Sequence, residues 1–348
     1  MAELKTGRVI RTDAKVCHVE VDGRVIQAAP RGILYSTGGE RTGKEPKNPV
    51  AVGDLVEVDV SSNPAGLERV LPRKRYLSRV ASSHDPREQI LAANVDQLFV
   101  IGSLKTPLFS SSRTDRILAA CAWHEIPSAL VLNKIDLADP EDVGRIRDTY
   151  ERIPIDVLET SALEGRGVEE VRARLLGKTT ILYGASGAGK SSLLNRLEPG
   201  LKLKEGRISR FWDAGKHTTN FSQMYRIGGD ERPGGSDLDS GGARVVGTFV
   251  IDTPGIRVFR LHGVTIRNLP DLFPEFAPFS ARCQFSGCLH DHEPDCAVFD
   301  AVESGELAPS RYASYVEMLD EMRGATSPLE REEPPEGGAP LEGEAKED

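Results

Sequence analysis

No run of about 18 apolar residues occurs in these 348 residues, so a membrane-spanning helix is not expected. The opening Met1-Ala-Glu-Leu-Lys-Thr-Gly-Arg8 lacks the apolar stretch of a secretory signal, which points to the cytoplasm. Cysteine is sparse, five residues in all, and in that compartment thiols or metal ligands are expected rather than a disulfide framework. A uniform basic surface is also missing, since the net charge is −9. The excess is concentrated: Glu330 to Asp348 holds eight acidic residues against Arg331 and Lys346. Residues 1–80 hold fourteen Lys/Arg against ten Asp/Glu. That asymmetry permits an RNA-facing N-terminal part, and an ordinary solvated surface would look similar.

Residues 4–75 show no helical period. Gly7–Arg11, Lys15–Val21, Arg24–Ala28 and Asp54–Val60 read as short strands, with Asp22-Gly23 as a hairpin turn. A small antiparallel barrel follows, either an oligonucleotide-binding OB barrel or an SH3-like scaffold. Arg69 to Arg79 reads as a basic linker, able to meet phosphates or to be solvated.

From Val95 the pattern becomes α/β. Gln97–Ile101 and Ser128–Leu132 are continuous apolar strands around a helical Arg113–His124. The second strand runs into Asn133-Lys134-Ile135-Asp136, an N-K-x-D element. A carboxylate at Asp136 can accept both N1–H and N2–H₂ of guanine, a donor edge that adenine lacks. Thr160-Ser161-Ala162, after the apolar Ile155–Leu158, resembles the element whose backbone meets guanine O6.

The sharpest signal is Gly184-Ala185-Ser186-Gly187-Ala188-Gly189-Lys190-Ser191, a G-x-x-x-x-G-K-[ST] phosphate loop followed by Ser192. It lies between an apolar strand, Thr179–Tyr183, and a helix beginning at Ser191. Its glycines let backbone N–H groups reach phosphate oxygens at a helix N-terminus. Lys190 would reach the β- and γ-phosphates, and the Ser191 hydroxyl would ligand Mg²⁺. Downstream, Gly215-Lys-His217-Thr218-Thr219-Asn220 fits switch I, where Thr218 or Thr219 would close on Mg²⁺ and the γ-phosphate. The strand Val246–Ile251 leads into Asp252-Thr-Pro-Gly255, a D-x-x-G switch II in which Asp252 holds Mg²⁺ through water and the Gly255 N–H touches the γ-phosphate.

In ordinary GTPases the phosphate loop precedes N-K-x-D. Here the order is N-K-x-D, S-A, phosphate loop, switch I, D-x-x-G, the same cycle opened elsewhere. A circular permutation keeps the site intact because the strands still assemble into one sheet. After switch II, Cys283, Cys288, His290 and Cys296 gather three thiols and an imidazole within fourteen positions, suited to one structural Zn²⁺. His292 is a competing ligand, and Cys17 and Cys121 read as core residues. Helical segments are expected around Ile266–Phe273, Ala297–Ser304 and Arg311–Met322.

Together these features resemble the ribosome small subunit-dependent GTPase A family of bacteria. Ala92-Ala-Asn-Val-Asp-Gln97, Gly215-Lys-His-Thr-Thr219 and the Cys/His cluster carry the resemblance over residues 5–322. It implies an OB-fold barrel at 1–75, a circularly permuted GTPase domain at 76–262, a mainly helical zinc-binding domain at 263–325 and a disordered acidic tail at 326–348. It further implies a cytoplasmic GTP hydrolase, expected as a monomer, that contacts 16S rRNA and assists late maturation of the 30S ribosomal subunit. GTP would be hydrolysed slowly unless the subunit stimulates turnover. Ile256 stands where Ras-like enzymes carry the glutamine that orients water, so another residue must help. His217 is the candidate, as the resemblance also suggests; an equally simple reading has it ordering switch I or meeting rRNA. The Gly/Asp-rich insertion at 228–242 and the acidic tail depart from the family pattern. Two other classes stay open: an RNA-binding scaffold with a structural nucleotide site, and an ATP-using enzyme, which Asp136 opposes.

Overall fold

In Cys17–Val21 fully buried side chains alternate with half-buried ones, the pleat of a strand with one face on a core, and this strand is the second of five. In order they are β1 (Leu4–Thr12), β2 (Cys17–Val21), β3 (Arg24–Pro30), β4 (Leu55–Asp59) and β5 (Ala65–Val70). Asp22 and Gly23 both adopt positive φ, 49° and 72°, as a type I′ hairpin turn requires. β1 pairs antiparallel with β2 and β4, β2 with β3 and β4 with β5, and β3 runs parallel to β5. The order 1-2-3-5-4 closes on itself as an OB barrel around Val9, Val19, Val56, Val58 and Leu67. The computed structural model describes residues 3–13, 15–31, 45–82, 84–203, 222–228, 247–253 and 259–326.

The basic stretch at 69–79 is not a linker. Arg69 lies in β5 and pairs with Glu57. Arg73 grips the fully buried carboxylate of Asp54 with Nε at 2.7 Å and Nη2 at 2.8 Å, because a buried charge requires a partner. Arg79 belongs to β6 (Tyr76–Ser82), which pairs with β7 (Asp85–Ala93) in a two-stranded hairpin.

The α/β part follows as β8 (Gln97–Gly102), α1 (Ser111–Trp123), β9 (Ser128–Asn133), α2 (Pro140–Tyr150), β10 (Asp156–Thr160), α3 (Val168–Leu175), β11 (Thr179–Gly184), α4 (Lys190–Leu197), β12 (Gln223–Ile227) and β13 (Thr248–Asp252). Local chemistry sets the helix starts. Ser110 accepts the Arg113 N–H at α1, while Asp139 accepts the Glu141 N–H at α2 with Pro140 in the first turn. The strand order is β10-β9-β8-β11-β13-β12, parallel except for β12, with an apolar cluster on either face. β12 also meets β1 at the Gln223–Arg11 pair, so barrel and α/β sheet form one sheet of eleven strands.

The C-terminal part is mainly helical: α5 (Ala277–Ser280), α6 (Ala297–Glu303) and α7 (Pro309–Thr326). The helix expected at 266–273 is instead a turn followed by single 3₁₀ turns, Pro270–Leu272 and Pro274–Phe276. Prolines at 270, 274 and 278 lack the N–H donors that a longer helix needs. α7 docks on α1 through Arg311, 3% exposed, which binds Asp115 at 2.7 Å and Glu275 at 2.6 Å. Burial raises the pKa of Asp115, and Arg311 opposes that shift. No helix among the described residues is long and apolar enough to cross a membrane.

Candidate nucleotide site and metal centre

β8, β9, β10 and β11 are parallel neighbours, so the loops after them share one edge of the sheet. In parallel sheets that carboxyl edge is where ligands bind. The phosphate loop leaves β11 there. Gly189, at φ 96°, is the N-cap of α4 and supplies no side-chain cap. A Cβ on Gly189 would lie 2.2 Å from Asn133 Nδ2, so only glycine fits.

Asn133, fully buried at the end of β9, joins three elements. Its Nδ2 donates to the Ala188 carbonyl at 3.1 Å. Its Oδ1 accepts from the Ala162 N–H and the Thr160 hydroxyl, each at 3.1 Å. Lys134, at φ 63°, turns back so that Nζ donates to the carbonyls of Gly187 at 2.6 Å and Thr106 at 2.7 Å. Ile135 and Asp136 lie in the single 3₁₀ turn Ile135–Leu137. The Asp136 Oδ1 is buried and has no hydrogen-bond partner among the described residues. Ser161 is buried, and its hydroxyl accepts the Glu164 N–H at 3.1 Å.

On the phosphate side, Ala188 is buried while Ser186 and Gly187 are exposed; Gly184, Ala185, Ser191 and Ser192 complete the loop and the start of α4. Lys190 is 6% exposed and donates to the Gly184 carbonyl at 2.7 Å and the Ala185 carbonyl at 3.3 Å. Burial lowers its pKa and Asp252 opposes the shift. Asp252 ends β13, where burial pushes its carboxyl up to about 6 against the pull of Lys190. Its Oδ1, like that of Asp136, is buried and has no hydrogen-bond partner among the described residues. Two orphaned carboxylate oxygens and a glycine cradle fit a guanine nucleotide with its cation. His217, Thr218, Thr219, Gly255 and Ile256 lie outside the described residues.

The second cluster brings together Cys283, Cys288, His290 and Cys296, their ligand atoms all within 4.8 Å of one another. His290 Nδ1 is 3.6 Å from Cys283 Sγ and 3.5 Å from Cys296 Sγ. Zn–S bonds of about 2.3 Å and Zn–N bonds of about 2.0–2.1 Å put tetrahedral corners roughly 3.6 Å apart. The donor set fits one structural metal ion. Its outer layer was not legible in the sequence. Ser280 Oγ donates to the Phe276 carbonyl at 3.0 Å and therefore accepts from His290 Nε2 at 3.1 Å, turning the Nδ1 lone pair towards the sulfurs. The Tyr312 hydroxyl donates to the His290 carbonyl at 2.7 Å, and the Tyr315 hydroxyl to the Leu289 carbonyl. His292 is exposed, with Nε2 3.0 Å from Asp291, and is not in the cluster. Cys17 and Cys121 are buried and outside the cluster, and burial pushes the Cys17 thiol up to about 12.

Sequence reasoning missed Thr106 and Ser280, and it named Thr160 without its hydrogen bond to Asn133. Thr106 contributes only a carbonyl, which carries no residue signature. Thr160 and Ser280 precede recognised residues, and only spacing hinted at a supporting role.

The profile of the RsgA GTPase family matches residues 70–262. "Small ribosomal subunit biogenesis GTPase RsgA 2" of Bacteroides thetaiotaomicron is 36% identical over 90% of this chain and 96% of its own. The RsgA of Geobacillus kaustophilus is 34% identical over 91% and 97%. The crystal structure of YjeQ from Thermotoga maritima superposes with a TM-score of 0.64 at 30% identity, covering 92% of this chain and 99% of that one. YloQ, described as a circularly permuted GTPase, gives 0.61 at 26%, covering 92% and 96%. With the guanine and phosphate motifs meeting in permuted order on one sheet edge, the chain belongs to the RsgA GTPase family and is a GTP hydrolase.

Proposed function

We propose that this protein is a guanine-nucleotide switch that binds the small (30S) ribosomal subunit, assists its late maturation and leaves after GTP hydrolysis. The observation that carries this reading is Asn133, which ties the N-K-x-D turn to both the phosphate loop and the Ser161-Ala162 turn. Asp136 accepts the guanine edge, with Asn133, Lys134, Ile135, Ser161 and Ala162 shaping the base pocket. Gly184 to Ser192 wrap the phosphates, and Lys190 neutralises charge on the β- and γ-oxygens. Bound Mg²⁺ would supply charge neutralisation between those oxygens; Ser191 would hold it directly and Asp252 through water. Thr218 or Thr219 and Gly255 close on the γ-phosphate, and His217 assists the attacking water. Cys283, Cys288, His290 and Cys296 hold one structural Zn²⁺.

The working units are the barrel at 1–75, the permuted GTPase domain at 76–262, the zinc domain at 263–325 and the acidic tail at 326–348. The relatives' names speak of the small ribosomal subunit, which supports that partner here; action in the cytoplasm and as a monomer is part of the same proposal. Contact with 16S rRNA falls mainly to the barrel side. Residues 263–325 hold four arginines against eleven Asp/Glu, a poor surface for phosphates. Of the phosphate contacts expected at Arg73, Lys74, Arg75 and Arg79, Lys74 and Arg75 are exposed at the end of the barrel and in no ion pair among the described residues, whereas Arg73 is held by Asp54. The test is GTP turnover with and without purified 30S and 50S subunits. Stimulation by 30S alone is expected; equal rates in all three conditions would leave only a scaffold with a nucleotide ligand.

A further inference from the structure

Arg8 sits on β1 of the barrel, yet it is only 8% exposed and reaches into the α/β sheet. Its Nη1 donates to Thr179 Oγ1 at 3.4 Å, and its guanidinium carbon lies over the Phe249 ring, 4.7 Å from the centroid. Thr179 opens β11 and Phe249 lies near the start of β13, and the two are direct partners in the parallel ladder. Three residues along the same ladder, Leu182 is partnered with Asp252. There the Thr253 hydroxyl donates to the Leu182 carbonyl at 3.1 Å. Two residues beyond Leu182, β11 becomes the phosphate loop. One side chain of the barrel thus clamps the near end of the two strands, with Asp252 roughly 10 Å further along β13 and Gly184 roughly 17 Å along β11 at about 3.3 Å per residue.

The clamp is reinforced from both sides. Asp96 Oδ2 accepts the Thr179 N–H at 2.8 Å, fixing that strand end. Arg226 of β12 also lies over the Phe249 ring, at 4.9 Å, while its Nη2 is 3.5 Å from Glu20 of the barrel. For stability alone this is a poor use of a guanidinium. Among the described residues its one hydrogen bond to a side chain is long, goes to a neutral hydroxyl and leaves Nε without a partner. Burial lowers the Arg8 pKa; the charges of Glu20 and Asp96 oppose that shift only in part, and Arg226 adds like-charge repulsion. An apolar side chain of similar shape would pack there at no greater cost.

We propose that Arg8 is a positioning residue for the nucleotide site: by fixing the stagger of β11 against β13 from the barrel side, it sets Asp252 relative to the phosphate loop. The inference rests on the reading of Asp252 as the group that holds Mg²⁺ through water. It makes the barrel part of the catalytic geometry, so that a load on the barrel is felt where the cation sits.

The experiment is a Mg²⁺ titration of binding to a fluorescent non-hydrolysable GTP analogue, with thermal melting alongside, on the full chain and on R8M, R8K, F249L and D252N. R8M should keep the melting temperature of the parent or raise it. It should also raise the half-saturating Mg²⁺ concentration at least about fivefold, the low end of usual couplings between sites. R8K should recover most of that shift, and F249L should reproduce it even if R8M does not fold. A Mg²⁺ requirement unchanged in both R8M and F249L, with D252N shifted, overturns the role of Arg8 and leaves that of Asp252 standing. An unchanged requirement in D252N removes both. Loss of nucleotide binding in step with lost thermal stability, not rescued by R8K, would make Arg8 a packing residue only.

Discussion

Asn133 Nδ2 donates to the carbonyl of Ala188 at 3.1 Å, across 55 residues of chain. In the unpermuted order the phosphate loop would come first; here the guanine element does, and the contact is made in the opposite chain direction. Asn133→Ala would leave the Ala188 carbonyl, the Ala162 N–H and the Thr160 hydroxyl without this partner in a buried place. A destabilisation of about 2–4 kcal/mol is expected, with a matching loss of nucleotide affinity. Urea unfolding and analogue binding would measure both, and parent-like values in each would refute the bridging role.

Asp136→Asn should turn a double acceptor into an amide that suits xanthine better than guanine. GTP affinity should fall on the order of a thousandfold while xanthosine triphosphate gains. Competition between the two nucleotides for the variant reads the change. GTP preference surviving intact would place the guanine edge elsewhere.

The buried Asp252 predicts a pH dependence. Its carboxyl in the nucleotide-free fold titrates at about 6, above the ordinary value of 3.8. Any stability from holding that proton is present below the unfolded value and is lost as pH rises through about 6. Magnesium-dependent nucleotide binding needs the opposite form, so it should weaken about tenfold per unit as pH falls below 6. Titrating affinity between pH 5 and 8 would show this break. D252N should flatten it, and a break that persists in D252N would assign it to another group.

Metal removal should act on the C-terminal module first. Burial pushes the Cys288 thiol up to about 12 and raises that of Cys296, so a bound cation has to displace their protons. One zinc per chain is expected by elemental analysis. A strong chelator or His290→Ala should release it and lower the melting temperature, while Cys17→Ser should keep full zinc content. Zinc content undiminished in His290→Ala would exclude His290 as a ligand.

His217→Ala should abolish most of the subunit-stimulated turnover, by roughly 10²–10⁴-fold, with GTP binding unchanged. Single-turnover rates with 30S subunits decide it; stimulation that survives the change would leave His217 a loop or rRNA contact.

Much of the site was legible because its chemistry is local. Gly184 to Ser191 and Asn133 to Asp136 specify their own backbone turns, and the strands before them announce themselves by apolar runs. Cys283 to Cys296 was readable for the same reason. What stayed hidden depends on distant partners. Arg73 looks like a solvent cation until Asp54 is found buried beneath it, and the hairpin at 76–93 was lost in the same basic composition. Arg311 and Asp115 stand 196 residues apart, and nothing near either one signals the other. At 266–273 apolar spacing suggested a helix, and the prolines that break it carried the stronger information.

β1 has neighbours on both sides within the first 59 residues, and a third, β12, that begins only at Gln223. During synthesis the barrel can therefore close early and wait, its first strand offering a finished template against which the later sheet is laid. An amino-terminal deletion through Thr12 would take away that template as well as the barrel, and the nucleotide domain would have to set its last edge unaided.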